Sequence, residues 1–428
     1  MQLVTAAQLL PIDQPAMSNG AMIINNGKIL AVGTAAALAA EHPAATRIDY
    51  PEHVILPGLV NAHLHVDMAQ FYPPHPAAEG NQEGGAPSPH LQWQQAALTF
   101  RFENRLDHSK ESIRYCAERL QHYGVTCVGA LTTFDAAVPL FAGTGLRAVV
   151  FPEIFASRAA EVTQDRFESA LALLEKYAGH SDRIRFGLAP LAPYLLSRQV
   201  LHIVSQHVAG AQLPLQIHAA ESFEEMEFFF NSSGPIGTEL FPLFGWGPAT
   251  GQPLPPPFHK TPIRYLEEIG FLAAHPTIVG GVQLAADDLP ILQRNGCAVV
   301  YCPQAVRQFG LGEFPYGKLR EHGVPVALGT EALFTPTDGD LWAEMRAALQ
   351  SGGIGATDVL HMATLGGAHA LRCSDTIGSL TAGKAADYLV LDLPPRERDR
   401  GLEEALVRFT TPPQIRHRFV AGIELPHA

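Results

Sequence analysis

The middle of the chain alternates between apolar segments typical of buried strands and segments with the spacing of helices. The strand-like runs at residues 125–130, 277–282 and 324–328 are examples, and each follows a segment with helical spacing. This alternation favours parallel strands joined by crossover helices, and the number of units suits a closed (β/α)8 TIM barrel. A doubly wound open sheet is the structural alternative, but no Gly-x-Gly-x-x-Gly motif follows an early strand to support it.

Both ends of the chain are instead predicted to be rich in β-strands. Asn26-Gly27 separates two apolar runs near the N-terminus, and an Asn-Gly pair in this setting is a strong hairpin signal. Residues 386–392 and 419–425 have the pattern of two further strands near the C-terminus. The two ends could therefore pair into one small sheet module that is discontinuous in sequence.

Two segments interrupt the alternation, at about residues 72–95 and 234–260. Both are rich in proline, glycine and polar residues, and both follow strands that end in candidate metal ligands. Loops after barrel strands form the active-site face, so we interpret the segments as lids or substrate walls, with plain insertion loops as the alternative. The aromatic residues that could line such a wall, or simply anchor a loop, are Trp93, Phe100, Trp246 and Phe258.

The residues with the most chemical content lie at predicted strand ends. His63 and His65 are two apart in an extended segment, so their imidazoles point to the same side and could share one divalent metal. His218 ends a later strand, and the carboxylate of Glu221 could move protons between an activated water and a substrate. Glu331 ends another strand and could be a fourth ligand or the base. Ordinary surface histidines are the alternative interpretation for His63 and His65 taken alone.

Composition and charge argue against several classes of protein. The net charge is −13 and no long basic run is present, whereas a nucleic-acid surface needs clustered Lys and Arg. The five cysteines are scattered and odd in number, as expected for free thiols in a reducing compartment. The N-terminus lacks a basic n-region, and no uninterrupted apolar run approaches the length of a membrane span. We therefore expect a cytoplasmic protein with neither nucleic-acid nor membrane partners.

The stretch LPGLVNAHLH at residues 56–65, followed by the His-x-x-Glu-Ser of residues 218–222, resembles the amidohydrolase superfamily. Within it the chain is most similar to the branch of chlorohydrolases and of deaminases that act on adenosine-type substrates. The likeness continues through residues 323–330, 362–368 and 378–387. It implies a (β/α)8 barrel and a composite β-sandwich domain built from the two chain ends. The implied bounds are residues 56–376 for the barrel and residues 1–55 plus 377–428 for the β-sandwich.

The resemblance also implies a chemistry. It makes His63, His65 and His218 ligands of one divalent metal, Zn²⁺ or Fe²⁺. Glu331 stands where the family has an aspartate that binds the metal and acts as base, and Glu221 becomes the proton shuttle. The implied reaction is the hydrolytic deamination, or dechlorination, of an aminopurine-like or other N-heterocyclic small molecule by a metal-activated water. By analogy alone, a homo-oligomer is expected.

The chain departs from the family pattern at positions that matter for catalysis. Family members usually carry His-x-x-His where this chain has Gly280 and Gln283, and the first of those histidines orients the attacking water. Its loss should lower the rate by about 10²–10⁴-fold unless another residue has taken over. The family's aspartate is replaced by Glu331, which is one methylene longer. The histidines in or near loops that could take over are His75, His90, His259 and His275.

Several polar positions of the family's pocket are apolar in this chain. The histidine of the usual Pro-His-Ala-Pro-Tyr is Leu191, and a Ser-Asn pair is replaced by Ala305-Val306. We therefore predict a substrate that is less polar than a usual nucleoside. The residues assigned to substrate binding are Trp93, Leu191, Gln283 and Ala305.

Two functions of different classes fit these residues. The first is a metal-dependent amidohydrolase with a remodelled site that acts on non-peptide C–N bonds. The second is a catalytically impaired relative that keeps the barrel and serves as a binding or partner subunit. The retained histidines and Glu221 favour the first, because drift would not spare them preferentially, while Gly280 and Glu331 favour the second. A binuclear site is a weaker third option, since no convincing strand-end lysine is present to bridge two metals.

Overall fold

The computed structural model describes residues 1–69, 88–103, 106–155, 160–332, 339–392 and 401–426. Most of the first predicted insert loop lies outside these residues, and so does His75. No helix in the described part of the chain is long and apolar enough to span a bilayer.

The described residues form strands and helices with the following bounds. The strands are β1 (Gln2–Leu9), β2 (Met17–Asn25), β3 (Lys28–Thr34), β4 (Thr46–Pro57), β5 (Leu59–His65), β6 (Val125–Thr132), β7 (Arg147–Ile154), β8 (Ile184–Phe186), β9 (Ala189–Pro190), β10 (Gln216–Ala219), β11 (Thr277–Gly280), β12 (Ala298–Tyr301), β13 (Val326–Leu328), β14 (Tyr388–Asp392), β15 (Ile415–Val420) and β16 (Ile423–Glu424). The helices are α1 (Ala35–Glu41), α2 (Pro89–Glu103), α3 (Leu106–His122), α4 (Ala137–Thr144), α5 (Ala160–Lys176), α6 (Arg198–Ala211), α7 (Phe223–Asn231), α8 (Pro262–Glu268), α9 (Asp288–Arg294), α10 (Pro303–Phe309), α11 (Tyr316–Glu321), α12 (Leu341–Gln350), α13 (Ala356–His361), α14 (Gly367–Ala370) and α15 (Leu402–Phe409).

The central strands close into a barrel. Strands β5 to β8 form one parallel sheet in chain order, β9 also pairs with β7, and β10 to β13 form a second parallel sheet. Two parallel bridges, Leu188 with Leu215 and Leu64 with Glu331, join these sheets to each other. The last strand therefore returns to the first, which confirms the predicted (β/α)8 barrel and excludes the open sheet.

Burial along the barrel elements explains why the sequence folds this way. Strands β5 and β6 are buried over their whole lengths, as expected for parallel strands that helices cover from outside. Helix α6 buries Leu201, Val204 and Val208, whose spacing of three and four residues defines one helical face. Its first turn is capped by the hydroxyl of Ser197, which accepts a hydrogen bond from the amide of Val200.

The two chain ends form a seven-stranded sheet in the order β16-β15-β14-β4-β1-β2-β3. The predicted hairpin is present between β2 and β3, where Asn26 and Gly27 have φ values of 50° and 75°, as a type I′ turn needs. Strand β4 joins the two halves, because it pairs parallel with β1 and antiparallel with β14. Tyr388 and Val390 share one apolar cluster with Met22. The composite domain is confirmed, while its exact bounds stay a prediction.

This sheet leads directly into the first barrel strand. Strand β4 ends at Pro57 and β5 begins at Leu59, so Gly58 alone separates them. A Cβ atom at Gly58 would lie 2.1 Å from the Oγ1 of Thr126 in β6, so the close approach of the chain here requires glycine. The composite domain and the strand with two histidines are therefore tightly connected.

Three local predictions differ from the structure. The first predicted insert loop overlaps helix α2, which begins at Pro89 because the hydroxyl of Ser88 caps it and apolar residues such as Leu91 are buried on one face. The sequence pattern of residues 109–123 predicts a helix with Ser109 as its N-cap, whereas helix α3 begins at Leu106 and Ser109 is buried within it. The second insert contains short 3₁₀ and π turns between residues 236 and 250.

Candidate metal centre and active site

Four side chains converge at the carboxyl end of the barrel strands. They are His63 and His65 of β5, His218 of β10 and Glu331 just after β13, and all four are buried. Their candidate ligand atoms all lie within 4.8 Å of one another. The Glu331 carboxylate is 3.4 Å from Nε2 of His63 and 3.5 Å from Nε2 of His65. A tetrahedral ion with bonds of about 2.05 Å needs ligand atoms about 3.3 Å apart, so these separations suit a shared metal.

Two of these imidazoles have a nitrogen without a hydrogen-bond partner. Nε2 of His63 and Nε2 of His218 are buried and make no hydrogen bond of good geometry in the described structure. Burying an unpaired polar nitrogen costs free energy, so native proteins rarely leave one without a ligand. Both nitrogens face the carboxylate of Glu331. Three imidazoles and one carboxylate are a donor set that divalent transition metals prefer, and the residues present therefore fit one metal ion.

A glutamine orients the first imidazole. His63 Nδ1 donates to Oε1 of Gln216 at 2.9 Å, and Nε2 of Gln216 donates to the carbonyl of Ala62 at 2.9 Å. With its proton on Nδ1, His63 keeps the Nε2 lone pair for a metal. Gln216 is not among the site residues predicted from the sequence. The signal was available, because Gln216 lies two residues before His218 in a strand and so points to the same side.

A buried ion pair orients the second imidazole. The carboxylate of Glu153, in β7, is 3.3 Å from Nδ1 of His65 and 2.8 Å from the guanidinium of Arg101, in α2. Burial alone would lower the pKa of His65, but Glu153 raises it to about 9. Neither Glu153 nor Arg101 is among the site residues predicted from the sequence. An acid near the end of a buried strand was a usable signal for Glu153, whereas nothing local marked Arg101.

The closure of the barrel holds Glu331 beside the two β5 histidines. The amide of His65 donates to the carbonyl of Glu331 at 2.8 Å, and the amide of Thr330 donates to the carbonyl of His63 at 3.0 Å. We call this contact between residues 61–65 and Thr330-Glu331 the closure seam. Glu331 has a φ of 58°, a left-handed conformation that costs about 1–3 kcal/mol in a non-glycine residue. The chain thus adopts a strained backbone conformation where the barrel closes.

The carboxylate of Glu221 lies beside this centre. Its Oε2 is 3.2 Å from Nδ1 of His218 and 3.5 Å from Nε2 of His90. Burial opposes ionisation, but these two imidazoles hold the pKa of Glu221 below its ordinary value. The amide of Glu221 donates to the carboxylate of Glu225 at 2.9 Å, and helix α7 begins directly after Ser222. Glu221 is therefore an ionised carboxylate held in place beside the four converging side chains.

Gly280, where a histidine was expected from the resemblance, has a structural explanation. Its φ of 93° favours glycine, and a Cβ atom there would lie 2.9 Å from Cβ and 3.2 Å from Cδ of Glu221. The Glu221 side chain thus occupies the space that a longer residue at this strand end would need. Gln283 turns away, since its side chain donates to the carbonyl of Leu311 at 2.6 Å.

Comparison with known proteins agrees with this geometry. The family model described as "Amidohydrolase family" matches residues 54–423, which is most of the chain. The chain belongs to the amidohydrolase family. In addition, residues 20–45 match a model described as "Imidazolonepropionase-like composite domain, bacteria", in keeping with the composite domain of this amidohydrolase.

Individual relatives of this amidohydrolase are deaminases. It is 32% identical over 320 residues, 72% of each chain, to aminodeoxyfutalosine deaminase from Deinococcus radiodurans. It is 31% identical over 388 residues, 87% of this chain and 80% of the relative, to 5-methylthioadenosine/S-adenosylhomocysteine deaminase from Syntrophobacter fumaroxidans. An adenosine deaminase from Xanthomonas campestris, solved with bound zinc, superposes with a TM-score of 0.81 at 22% identity, covering 99% of this chain and 92% of the other. That last likeness shows the fold.

A cavity of this amidohydrolase opens onto the converging groups. His65, His218, Glu221 and Glu331 form its polar side. Its apolar side includes Trp93, Leu98, Leu191, Leu195 and Phe309. Two of the residues assigned to substrate binding, Trp93 and Leu191, thus line the cavity, whereas Gln283 and Ala305 are not among its lining residues.

The histidines considered as replacements are placed very differently. His90 is buried at the start of α2 and lines the cavity. His259 and His275 are exposed, and the side chain of His275 contacts the carbonyl of Asn295 at 2.7 Å. Of the candidates within the described residues, His90 alone reaches the site.

Proposed function

We propose that this amidohydrolase is a metal-dependent hydrolase that removes the amino group, or a chlorine, from an aminopurine-like or other N-heterocyclic small molecule. The observation that carries the proposal is the convergence of three buried imidazoles and one carboxylate at the strand ends, with Glu221 in hydrogen-bond reach of one of them. The relatives named as deaminases support the same chemistry. Deamination is the reaction we favour, because both of these relatives carry that name.

His63, His65, His218 and Glu331 would hold one divalent ion, Zn²⁺ or Fe²⁺. Such an ion, when bound, polarises the substrate and lowers the pKa of water to about 7. Gln216 and the pair of Arg101 with Glu153 would keep the histidine rings in the orientation that the ion needs.

Glu221 would handle the proton that the reaction moves. As an ionised and buried carboxylate, it can take a proton from the attacking water and pass it to a ring nitrogen of the substrate. Water then supplies the oxygen of the product, and its second proton leaves with the amino group as ammonia. This assignment makes Glu221 the catalytic acid and base, while Glu331 serves as ligand and as neighbour of the attacking water.

The cavity supports a flat and weakly polar substrate. The rings of Trp93 and Phe309 lie 6.3 Å apart between centroids at an interplanar angle of 87°, and Leu191 and Leu195 continue the same wall. Aromatic and aliphatic walls with a few convergent polar groups are typical of small-molecule sites. A planar heterocycle with an apolar substituent would fit this lining.

A partner subunit without catalytic activity is not favoured. Such a protein would have no need for unpaired imidazole nitrogens around a carboxylate, which destabilise a metal-free fold. The expected homo-oligomer and the cytoplasmic location stay predictions.

The test combines metal analysis with product detection. We expect about one zinc or iron per chain in protein purified without added metal, in keeping with the single four-ligand site. We also expect ammonia release from at least one of a panel of aminopurine nucleosides, guanine and related aminated heterocycles, with chlorotriazines tested for chloride. His218→Ala should lose both metal and turnover, whereas His322→Ala, at a half-buried position that does not line the cavity, should lose neither. A folded wild type that takes up no metal would contradict the proposal.

A further inference from the structure

We propose that His90 is a positioning residue for proton transfer, which acts through Glu221 and reaches that carboxylate from helix α2. The inference rests on the proposed function and deepens it. It concerns a residue that lies outside the four candidate ligands and on a different element from all of them.

The placement of His90 is specific. Its Nε2 is 3.5 Å from Oε2 of Glu221, and the residue is only 7% exposed. Its ring packs against Phe309, with centroids 5.4 Å apart. A histidine that merely filled space at a helix start would have no reason to face a buried carboxylate. This contact therefore directs His90 toward the proton shuttle.

His90 and His218, the two imidazoles beside Glu221, have different roles. His218 Nδ1 contacts the same carboxylate oxygen, but its Nε2 faces Glu331 at 4.0 Å and belongs to the candidate metal centre. Within the described residues, His90 has no place in that centre. It can therefore donate a hydrogen bond from Nε2 to Glu221 without giving up a metal contact.

The strand on the other side of Glu221 cannot provide such a group. Gly280 ends β11 beside Glu221, and any Cβ atom there would lie 2.9 Å from Cβ of Glu221. A side chain at this strand end would displace the shuttle itself. The carboxylate can therefore be held from the cavity side, where α2 passes, and His90 is the residue that α2 places there.

The expected role follows from the proton balance of deamination. Water gives one proton to the ring nitrogen and one to the departing amino group, so Glu221 must accept and release protons in the right order. A hydrogen bond from His90 keeps the carboxylate aimed at the reacting atoms during both transfers. Misplacing a catalytic group by about 1 Å can cost about 10²-fold in rate, which sets the scale of the effect.

The first test separates rate, binding and metal content. His90→Ala should lower kcat by about 10²-fold while KM and the metal content per chain stay close to wild type. H90Q, which keeps a donor of similar reach, should retain more of kcat than H90A, and it serves if H90A does not fold. Loss of metal, a change confined to KM, or an H90Q no faster than H90A would overturn the proposal.

A double-mutant cycle tests whether His90 acts through Glu221. In the Glu221→Gln background, adding H90A should lower the residual rate by no more than about twofold, because coupled groups are not additive. Independent contributions that multiply would contradict the proposal.

A spectroscopic test needs no turnover, so it can fail separately from the proposed function. In protein labelled with ¹⁵N-histidine, the imidazole resonances of His90, assigned with H90Q, should shift in E221Q. They should stay in place in the control Glu227→Gln, a change in helix α7, which follows Glu221. Unchanged resonances in E221Q would overturn this inference, whereas a wild type without turnover on any heterocycle would count against the proposed function.

Discussion

The closure seam and the helix opposite it face the same cavity but are held in different ways. At the seam, His63 and Glu331 are placed by main-chain hydrogen bonds between the first and last barrel strands. We call His90, Trp93 and Arg101 the α2 wall. In this wall, His90 contacts the carboxylate of Glu221 and Arg101 contacts that of Glu153. Changes at the seam should therefore act mainly on metal binding, while changes in the α2 wall should act mainly on rate or stability.

The largest effect should come from Glu221, the proposed proton shuttle, which lies between the closure seam and the α2 wall. Glu221→Gln removes the proton acceptor but none of the four candidate ligands, so kcat should fall by about 10²–10⁴-fold with the metal content unchanged. The comparison variant, His218→Ala, should lose metal and activity together. Steady-state kinetics and elemental analysis of the same samples check the result. An E221Q protein without metal would show that Glu221 belongs to the ligand set.

The buried pair of the α2 wall should have the next largest effect, on folding. Arg101→Met leaves the carboxylate of Glu153 without its main counter-charge. Because both side chains are at most 2% exposed, the charge that remains is buried. Removing one partner of a buried ion pair typically costs about 3–5 kcal/mol, so the free energy of unfolding in urea should fall by that order. The double variant R101M/E153Q should recover part of the loss, because no unpaired charge remains. Equal destabilisation of both variants would contradict this explanation.

A smaller effect is expected at Gln216, which lies outside the closure seam and orients His63 within it. Gln216→Leu removes the acceptor for His63 Nδ1 and frees that ring to rotate. Loss of such a supporting hydrogen bond usually costs about 10–100-fold in metal affinity, which a competition titration with a chelating dye can measure. The matched control is Gln121→Leu, since Gln121 is also buried and bonds a carbonyl, that of Thr144, away from the site. If both variants bind metal equally well, Gln216 has no role in the centre.

The closure seam and the α2 wall also differ in how far the sequence predicts them. The four candidate ligands follow from local rules, because residues two apart in a strand share a side and parallel strands end at one edge. His63, His65, His218 and Glu331 could therefore be found without a structure. What the sequence did not reveal is the left-handed φ of 58° at Glu331, where the barrel closes.

The α2 wall could not be predicted in the same way. Helix α2 follows a segment rich in proline and glycine, so its first residues were assigned to a loop, and its direction depends on tertiary packing. Arg101 meets Glu153 across 52 positions of sequence, and His90 meets Glu221 across many more. Spacing rules act within one element and cannot identify partners on two elements. The sequence shows that Gly280 lacks the expected histidine, and the structure adds that Glu221 lies close enough to fill the space beside it.

The smallest effect should come from the cap that follows the shuttle. The hydroxyl of Ser222 accepts a hydrogen bond from the amide of Glu225 at 3.3 Å and so fixes the first turn of α7 directly after Glu221. Ser222→Ala should lower the free energy of unfolding by about 1 kcal/mol, the usual value of such a cap. Because neither the closure seam nor the α2 wall loses a contact, the metal content should not change. Thermal unfolding beside Ser233→Ala, a serine beyond the other end of α7, checks this. A loss of metal in S222A would mean that α7, and not the closure seam, determines the ligand geometry on the His218 side.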